Sequence, residues 1–203
     1  STSSEMSQWY HALFSGQILN AASMAELTNF VSTNDPSQKY GLGSIKETTQ
    51  GFTYWGHGGD TWGYKSKMMF DSCSGTVVCG LSNSYPNSMT SIPFLLYRVI
   101  KNHVPACAGV INGIANVCKG QSVYYNIPNI PNATSYVWTL PGGVTGTSTT
   151  NGITVNFGAS AVSGNITVKG VNAYGNGAVS SKFISVNPLP IVSTSASATT
   201  ICP

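Results

Sequence analysis

Pro105 separates two stretches whose apolar residues repeat with different periods, and no single layer architecture accommodates both. Ahead of it, Thr2-x-x-Glu5 is a capping box, and Met6, Trp9, Tyr10, Leu13 and Phe14 follow at helical spacing. Gly16 stops that helix. Asn20 can cap a second one, with Met24, Leu27 and Val31 on one face. Residues 39–48, 51–55, 62–71 and 75–83 read as strands, the last two joined as a hairpin at Ser74-Gly75. Ser91 and Pro93 open a third helix with Ile92, Leu95, Leu96 and Val99 inward. Its last turns carry Arg98, Lys101 and His103, where cations suit the helix dipole. Residues 1–105 are therefore expected to be α+β, with helices packed on an antiparallel sheet.

Beyond Pro105 the helical period is lost. "SVYYNI", "TSYVWTL", "GITVNF", "NITVKGVNAYG" and "SKFISV" are short alternating runs divided by Gly, Pro and Asn, the pattern of an all-β immunoglobulin-like sandwich of about seven strands. Tyr136 and Trp138 alternate with Val137, so one face of that strand should anchor the core. The sandwich is placed at 106–190, entered through a short hinge at 106–112 and left through the Pro-rich "NPLP". Residues 191–203 echo "INGIANVCKG", with Cys202 standing where Cys118 stood, so they read as a linker and the start of a further repeat.

Only 7% of the 203 residues are charged, and the formal net charge of +3 forms no Lys/Arg cluster, which argues against a nucleic-acid partner. No apolar run is long enough to span a membrane, and the first residues lack the charged and apolar regions of a signal peptide. The opening inside a helix cap and the closing "TTICP" lead to the expectation of a segment cut from a longer secreted protein. Five cysteines without CxxC spacing argue against zinc. Cys107 with Cys118 and Cys73 with Cys79 are candidate bridges, Cys202 is the odd one, and free thiols are equally compatible with the spacing. No phosphate loop or dinucleotide fingerprint is present, so no cofactor is expected. Asn132-Ala-Thr134 and Asn165-Ile-Thr167 fit the glycosylation pattern.

The stretch "YWGHGGDTWGY" sets His57 among glycines. Either this is a turn, or the glycines strip a strand so that a ligand can approach its backbone. A Ser-His-Asp triad built from His57 with Asp60 or Asp71 has no Gly-x-Ser-x-Gly elbow to support it. The order of the capped helix pair, "YGLG" (40–43), "GHGGD" (56–60) and a hairpin ending "VVCGLSN" resembles the C-terminal part of the serine β-lactamase and penicillin-binding-protein-like hydrolases: class C β-lactamases, DD-peptidases and related esterases. The resemblance covers about residues 1–104. It implies that His57-Gly58-Gly59 is the family's third box, on an edge strand. His57 would then lend a polar group to the substrate and the catalytic tyrosine, Gly59 would let an acyl, peptide-like or ester substrate lie against the strand, and the Asp60 N–H would supply half of an oxyanion hole.

The engine of that family is missing from these residues. No lysine has a serine three positions before it, and Tyr85-x-Asn87 and Tyr124-x-Asn126 follow the third box instead of preceding it. The nucleophile and base are expected upstream, in the same hydrolase domain. The sandwich resembles PKD-like modules of secreted and cell-surface proteins from Gram-negative bacteria with type IX secretion. The residues that carry this are "VCKGQSVYYNIPNIPNATSYVWTLPGG", "NITVKGVNAYGNG" and "ISVNPLP". Tyr174 stands where that family has a cysteine. Two functions fit: a secreted serine hydrolase with a spacer or adhesion module, or a surface adhesion or filament protein with an inactive hydrolase-like scaffold.

Overall fold

The computed structural model describes residues 2–84 and 91–188. Tyr85, Asn87, Cys202 and the repeat-like 191–203 lie outside the described residues. The elements run α1 (Ser3–Phe14), α2 (Ala21–Leu27), β1 (Val31–Ser32), β2 (Gln38–Tyr40), β3 (Ile45–Thr49), β4 (Phe52–Thr61), β5 (Tyr64–Phe70), β6 (Val77–Ser82) and α3 (Ser91–His103). Then follow β7 (Asn116–Cys118), β8 (Ser122–Asn126), β9 (Ser135–Thr139), β10 (Val144–Thr145), β11 (Gly152–Phe157), β12 (Gly164–Asn172), β13 (Gly175–Asn176) and β14 (Ser180–Asn187). The chain divides into two compact units. The first comprises 1–108 with 129–135 and 169–179, and the second 109–128, 136–168 and 180–203.

In the first unit, six antiparallel strands lie in chain order from β1 to β6. Strand alternation splits their apolar residues between two faces. Trp55, Met68 and Phe70 face α1, where Phe14 stacks on Phe70 at 5.0 Å. Tyr54, Met69 and Val78 face the opposite way, against Phe94 and Tyr97 of α3. The Thr2–Glu5 capping box forms, with the Glu5 carboxylate accepting from the Thr2 N–H at 2.7 Å. Asn20 caps α2 through the Ser23 N–H at 2.9 Å.

Several expectations are corrected. Val31 is on an exposed strand, because α2 already ends at Leu27. The run 39–48 is two strands, broken at Gly41–Ser44, where Gly43 takes a positive φ of 76°. In α3 the inward residues are Pro93, Phe94 and Tyr97, with Ile100 packed beside them, while Ile92, Leu95, Leu96 and Val99 are exposed. The aromatic stripe fills more volume against the sheet, so it takes the buried side.

The first unit is also tied by a disulfide the spacing did not favour. Cys73 bonds Cys107 with Cα atoms 6.0 Å apart, and Cys79 and Cys118 are free thiols. The stretch read as a hinge is held at its start, since the Ala106 N–H donates to the Pro131 carbonyl at 2.9 Å. Asn132, at a φ of 65°, donates its amide to the Lys101 and Val104 carbonyls at 3.2 Å each, and Asn172 donates to the His103 carbonyl at 2.6 Å. These amides satisfy the carbonyls at the end of α3. The Asn132 nitrogen of the first glycosylation pattern is thus already engaged.

Strands β7–β14 are mostly antiparallel and form the sandwich. One sheet runs β10-β11-β8 and the other β13-β12-β14-β7, with β9 also on β12. In the second unit Val117, Tyr125, Ile153, Val155, Phe157, Ile166, Val168 and Ile184 are essentially inaccessible to solvent. Each comes from an alternating run legible in the sequence. Val137 is exposed and Tyr136 and Trp138 are half-buried, the Trp138 indole donating to the Thr150 carbonyl at 2.9 Å.

Candidate functional site

The glycine-rich stretch is strand, not turn. β4 runs unbroken through "GHGGD", and each of its residues from Trp55 to Thr61 is in register with β5. Gly56 is needed for a structural reason, since a Cβ there would run into the Met68 backbone. Gly58 and Gly59 are different. A Cβ on Gly58 would find only ordinary contacts, and one on Gly59 would meet only the Ser66 hydroxyl, 2.7 Å away.

β4 is interior to the sheet, which corrects the expectation of an edge strand. Its far end nonetheless behaves as an edge. The β3 register stops at Ile45↔Gly56, so His57–Thr61 run on past β3, and among the described residues no strand pairs with them on that side. β3 is only five residues long because the Gly41–Ser44 turn interrupts it. The overhang is thus a direct consequence of "YGLGS".

Alternation places His57, Gly59 and Thr61 of β4 on one face with Tyr64, Ser66 and Met68 of β5 and Leu81 of β6. α1 covers Met68 with Tyr10 and Phe14 and stops there. Beyond it lies an open cleft of about 650 Å³, lined by Gly59, Thr61, Tyr64, Ser66 and Leu81, with Asp60, Lys65, Ser82 and Asn83 at its margins. The Asp60 carboxylate is well exposed and pairs with the Lys65 ammonium at 2.9 Å.

His57 meets Tyr40. Its Nε2 lies 2.9 Å from the Tyr40 hydroxyl, and the rings stand at 90° with centroids 5.8 Å apart. Its Nδ1 lies 2.5 Å from the Gly58 carbonyl oxygen. Neither acidic residue of the paper triad joins it. Asp60 is taken by Lys65, and Asp71 is bound by Lys101 at 2.7 Å and by the Ser74 hydroxyl at 2.6 Å. No motif in the sequence marks Tyr40 as the partner of His57; its place at the head of "YGLG" is the one signal it carries.

Two charge clusters lie away from the cleft, one half-buried around Glu47 and one around the buried Asp71. On the α3 face, Glu47 accepts from Lys67 at 2.9 Å and from the Thr49 hydroxyl at 2.9 Å, and the Lys67 ammonium sits 5.2 Å above the Tyr54 ring. Burial pushes the Glu47 carboxyl up, but hydrogen bonds from Tyr54 and Lys67 and the Lys67 charge outweigh it and hold it below the usual range. Burial, followed by Glu47 itself, drives the Tyr54 phenol far up. At Asp71, burial is likewise outweighed, by Lys101, Ser74 and the Cys73 N–H, so this carboxyl too is lowered. Among the described residues, no group of three His, Cys, Asp or Glu side chains could hold a metal, and no helix is long and apolar enough to cross a membrane.

Residues 104–184 match the PKD-like domain family. No curated protein matches the chain. Among solved structures it is similar to a D-stereospecific amidohydrolase from Streptomyces sp., at 32% identity over 41% of this chain and 26% of that one, with a TM-score of 0.39. A twitchin kinase region from C. elegans is similar at 22% identity over 42% and 15% of the two chains, with a TM-score of 0.26. A mixed-linkage glucan utilization locus protein, SGBP-B, from Bacteroides ovatus is similar at 11% identity over 77% and 46%, with a TM-score of 0.23. The matched region thus spans about a quarter of the amidohydrolase.

Proposed function

We propose that residues 1–105 form one wall of the active site of a secreted or cell-surface serine hydrolase of the β-lactamase, DD-peptidase and esterase type, and that the PKD-like domain is its spacer or adhesion module. The observation that supports this best is the overhang. Gly59 and Asp60 line an open cleft at a strand end whose β3 side is unpaired, with His57 at the start of that overhang, and the backbone of an acyl, peptide-like or ester substrate can lie antiparallel along the edge. Gly59 bears nothing that would hold such a substrate off, and the Asp60 N–H is the candidate oxyanion donor. Without a Ser-x-x-Lys pair, this chain by itself turns over neither a chromogenic cephalosporin nor a short-chain ester, because acyl transfer needs an activated nucleophile.

The test uses the longer protein in which this chain is preceded by both missing boxes. There a fluorophosphonate labels the box serine, and His57→Ala lowers kcat/KM by about 10- to 1000-fold, the range for one group that helps the transition state. A parent without Ser-x-x-Lys and Tyr-x-Asn boxes would instead support the inactive scaffold of a surface adhesion protein. Labelling of a serine within these 203 residues would overturn both readings.

A further inference from the structure

His57 has both ring nitrogens occupied. A carbonyl oxygen only accepts, so the Nδ1 facing Gly58 carries the proton. In the neutral ring Nε2 is then a lone pair, and the Tyr40 hydroxyl donates to it at 2.9 Å. The partners come from different faces. Tyr40 is in register with Ile45, and Ile45 with Gly56, so alternation sets Tyr40 on the Gly56 side and His57 on the other. Their bond therefore passes around the end of β3, at the root of the free edge.

We propose that Tyr40 is the positioning residue of the His57 box. It fixes the imidazole as the Nδ1–H tautomer and turns its own oxygen into the acceptor offered at the start of the overhang. With Nδ1–H turned to Gly58 and Nε2 accepting, neutral His57 acts on a ligand through the Tyr40 hydroxyl it orients and not through an N–H of its own. The polar atom beside His57 at the start of the overhang is the Tyr40 oxygen, on a residue 40% exposed. Its hydroxyl proton is committed to Nε2, so it suits a ligand that brings a donor, such as an amide N–H, over one that brings a carboxylate. This ligand preference rests on the hydrolase reading; the tautomer assignment stands without it.

The test is a long-range ¹H–¹⁵N correlation spectrum of His57 in the 203-residue chain, at a pH well above the ordinary imidazole range, compared with Tyr40→Phe. The wild-type ring should show a protonated Nδ1 and a hydrogen-bonded, unprotonated Nε2. Tyr40→Phe should erase the hydrogen-bond shift at Nε2 and move the population toward Nε2–H, with backbone amides outside the neighbourhood unchanged. A wild-type ring found mainly as Nε2–H overturns the proposal without any need for the variant, as does a His57 spectrum identical in both proteins. Neither readout involves turnover. An inactive parent therefore sinks the hydrolase reading alone, and a wrong tautomer sinks the Tyr40 proposal alone.

Discussion

The three glycines around His57 look alike in sequence and do different work. Gly56 is fixed by backbone: its missing Cβ is what lets β4 and β5 approach at Met68. Gly59 is opposed only by the end of a flexible serine side chain on the floor of the cleft. Gly56→Ala should therefore cost about 1–3 kcal/mol by overpacking, read as a lower urea midpoint. Gly59→Ala should leave that midpoint within about 0.5 kcal/mol of wild type, since Ser66 can turn away. Equal losses at the two positions would contradict this division. The sequence posed the choice between turn and stripped strand but could not decide it, because the deciding contact is with Met68, on another strand.

Among the elements, α3 shows how a correct period can still mislead. Ile92, Leu95, Leu96 and Val99 repeat at i, i+3, i+4 and i+7, while Pro93, Tyr97 and Ile100 repeat at i, i+4 and i+7 one residue further on, with Phe94 beside them. Periodicity finds the helix and cannot choose between overlapping apolar stripes. The choice is made by the sheet, whose Tyr54 and Met69 pack with Phe94 and Tyr97 in one core, and by the Tyr97 hydroxyl, which donates to the Thr53 carbonyl at 2.7 Å. Leu95 and Val99 remain 47% and 54% exposed. Leu95→Lys should change folding stability by less than about 0.5 kcal/mol, whereas Phe94→Ala should lose about 3–5 kcal/mol. Thermal unfolding of the two variants checks this, and a larger loss for Leu95→Lys would restore the stripe the sequence suggested. The end of α3 was legible only in part. Pro105 marked it, but the Asn132 and Asn172 amides that satisfy its carbonyls come from far along the chain.

At the scale of the whole molecule, the sandwich was legible because each short run buries alternate residues in one core, a local rule that needs no knowledge of the partner strand. Pairings between residues distant in sequence obey no such rule, and the Glu47–Lys67, Asp71–Lys101 and Cys73–Cys107 ties of the first unit are of this kind. Asp71 and Glu47 have carboxyls lowered in the fold, so the stability they add is present above the unfolded carboxylate range and is lost as pH falls through and below about 4. Asp71→Asn should flatten this acid loss and cost about 3 kcal/mol at neutral pH, because it strands the Lys101 ammonium.

The disulfide is the longest-range of these ties. Spacing favoured Cys107 with Cys118, a local loop, yet Cys107 reaches back across 34 residues to the hairpin at Cys73. That loop encloses β6 and α3, so the bond limits how far these elements can separate from β5 in the unfolded chain. A closed loop of this size is worth about 3–4 kcal/mol in the chain-entropy account. Cys107→Ala should therefore lower the urea midpoint by that much, and adding dithiothreitol should then change little in the variant while destabilising the wild type. Peptide mapping without reductant should recover Cys73 and Cys107 as one linked peptide. Cys118 should alkylate as a free thiol, and Cys79 more slowly, since burial raises its thiol pKa and thins its thiolate. Recovery of Cys107 linked to Cys118 would show that the local loop wins, and that α3 is held to the sheet without a covalent tie, by packing, the Tyr97–Thr53 hydrogen bond and the Asp71–Lys101 pair.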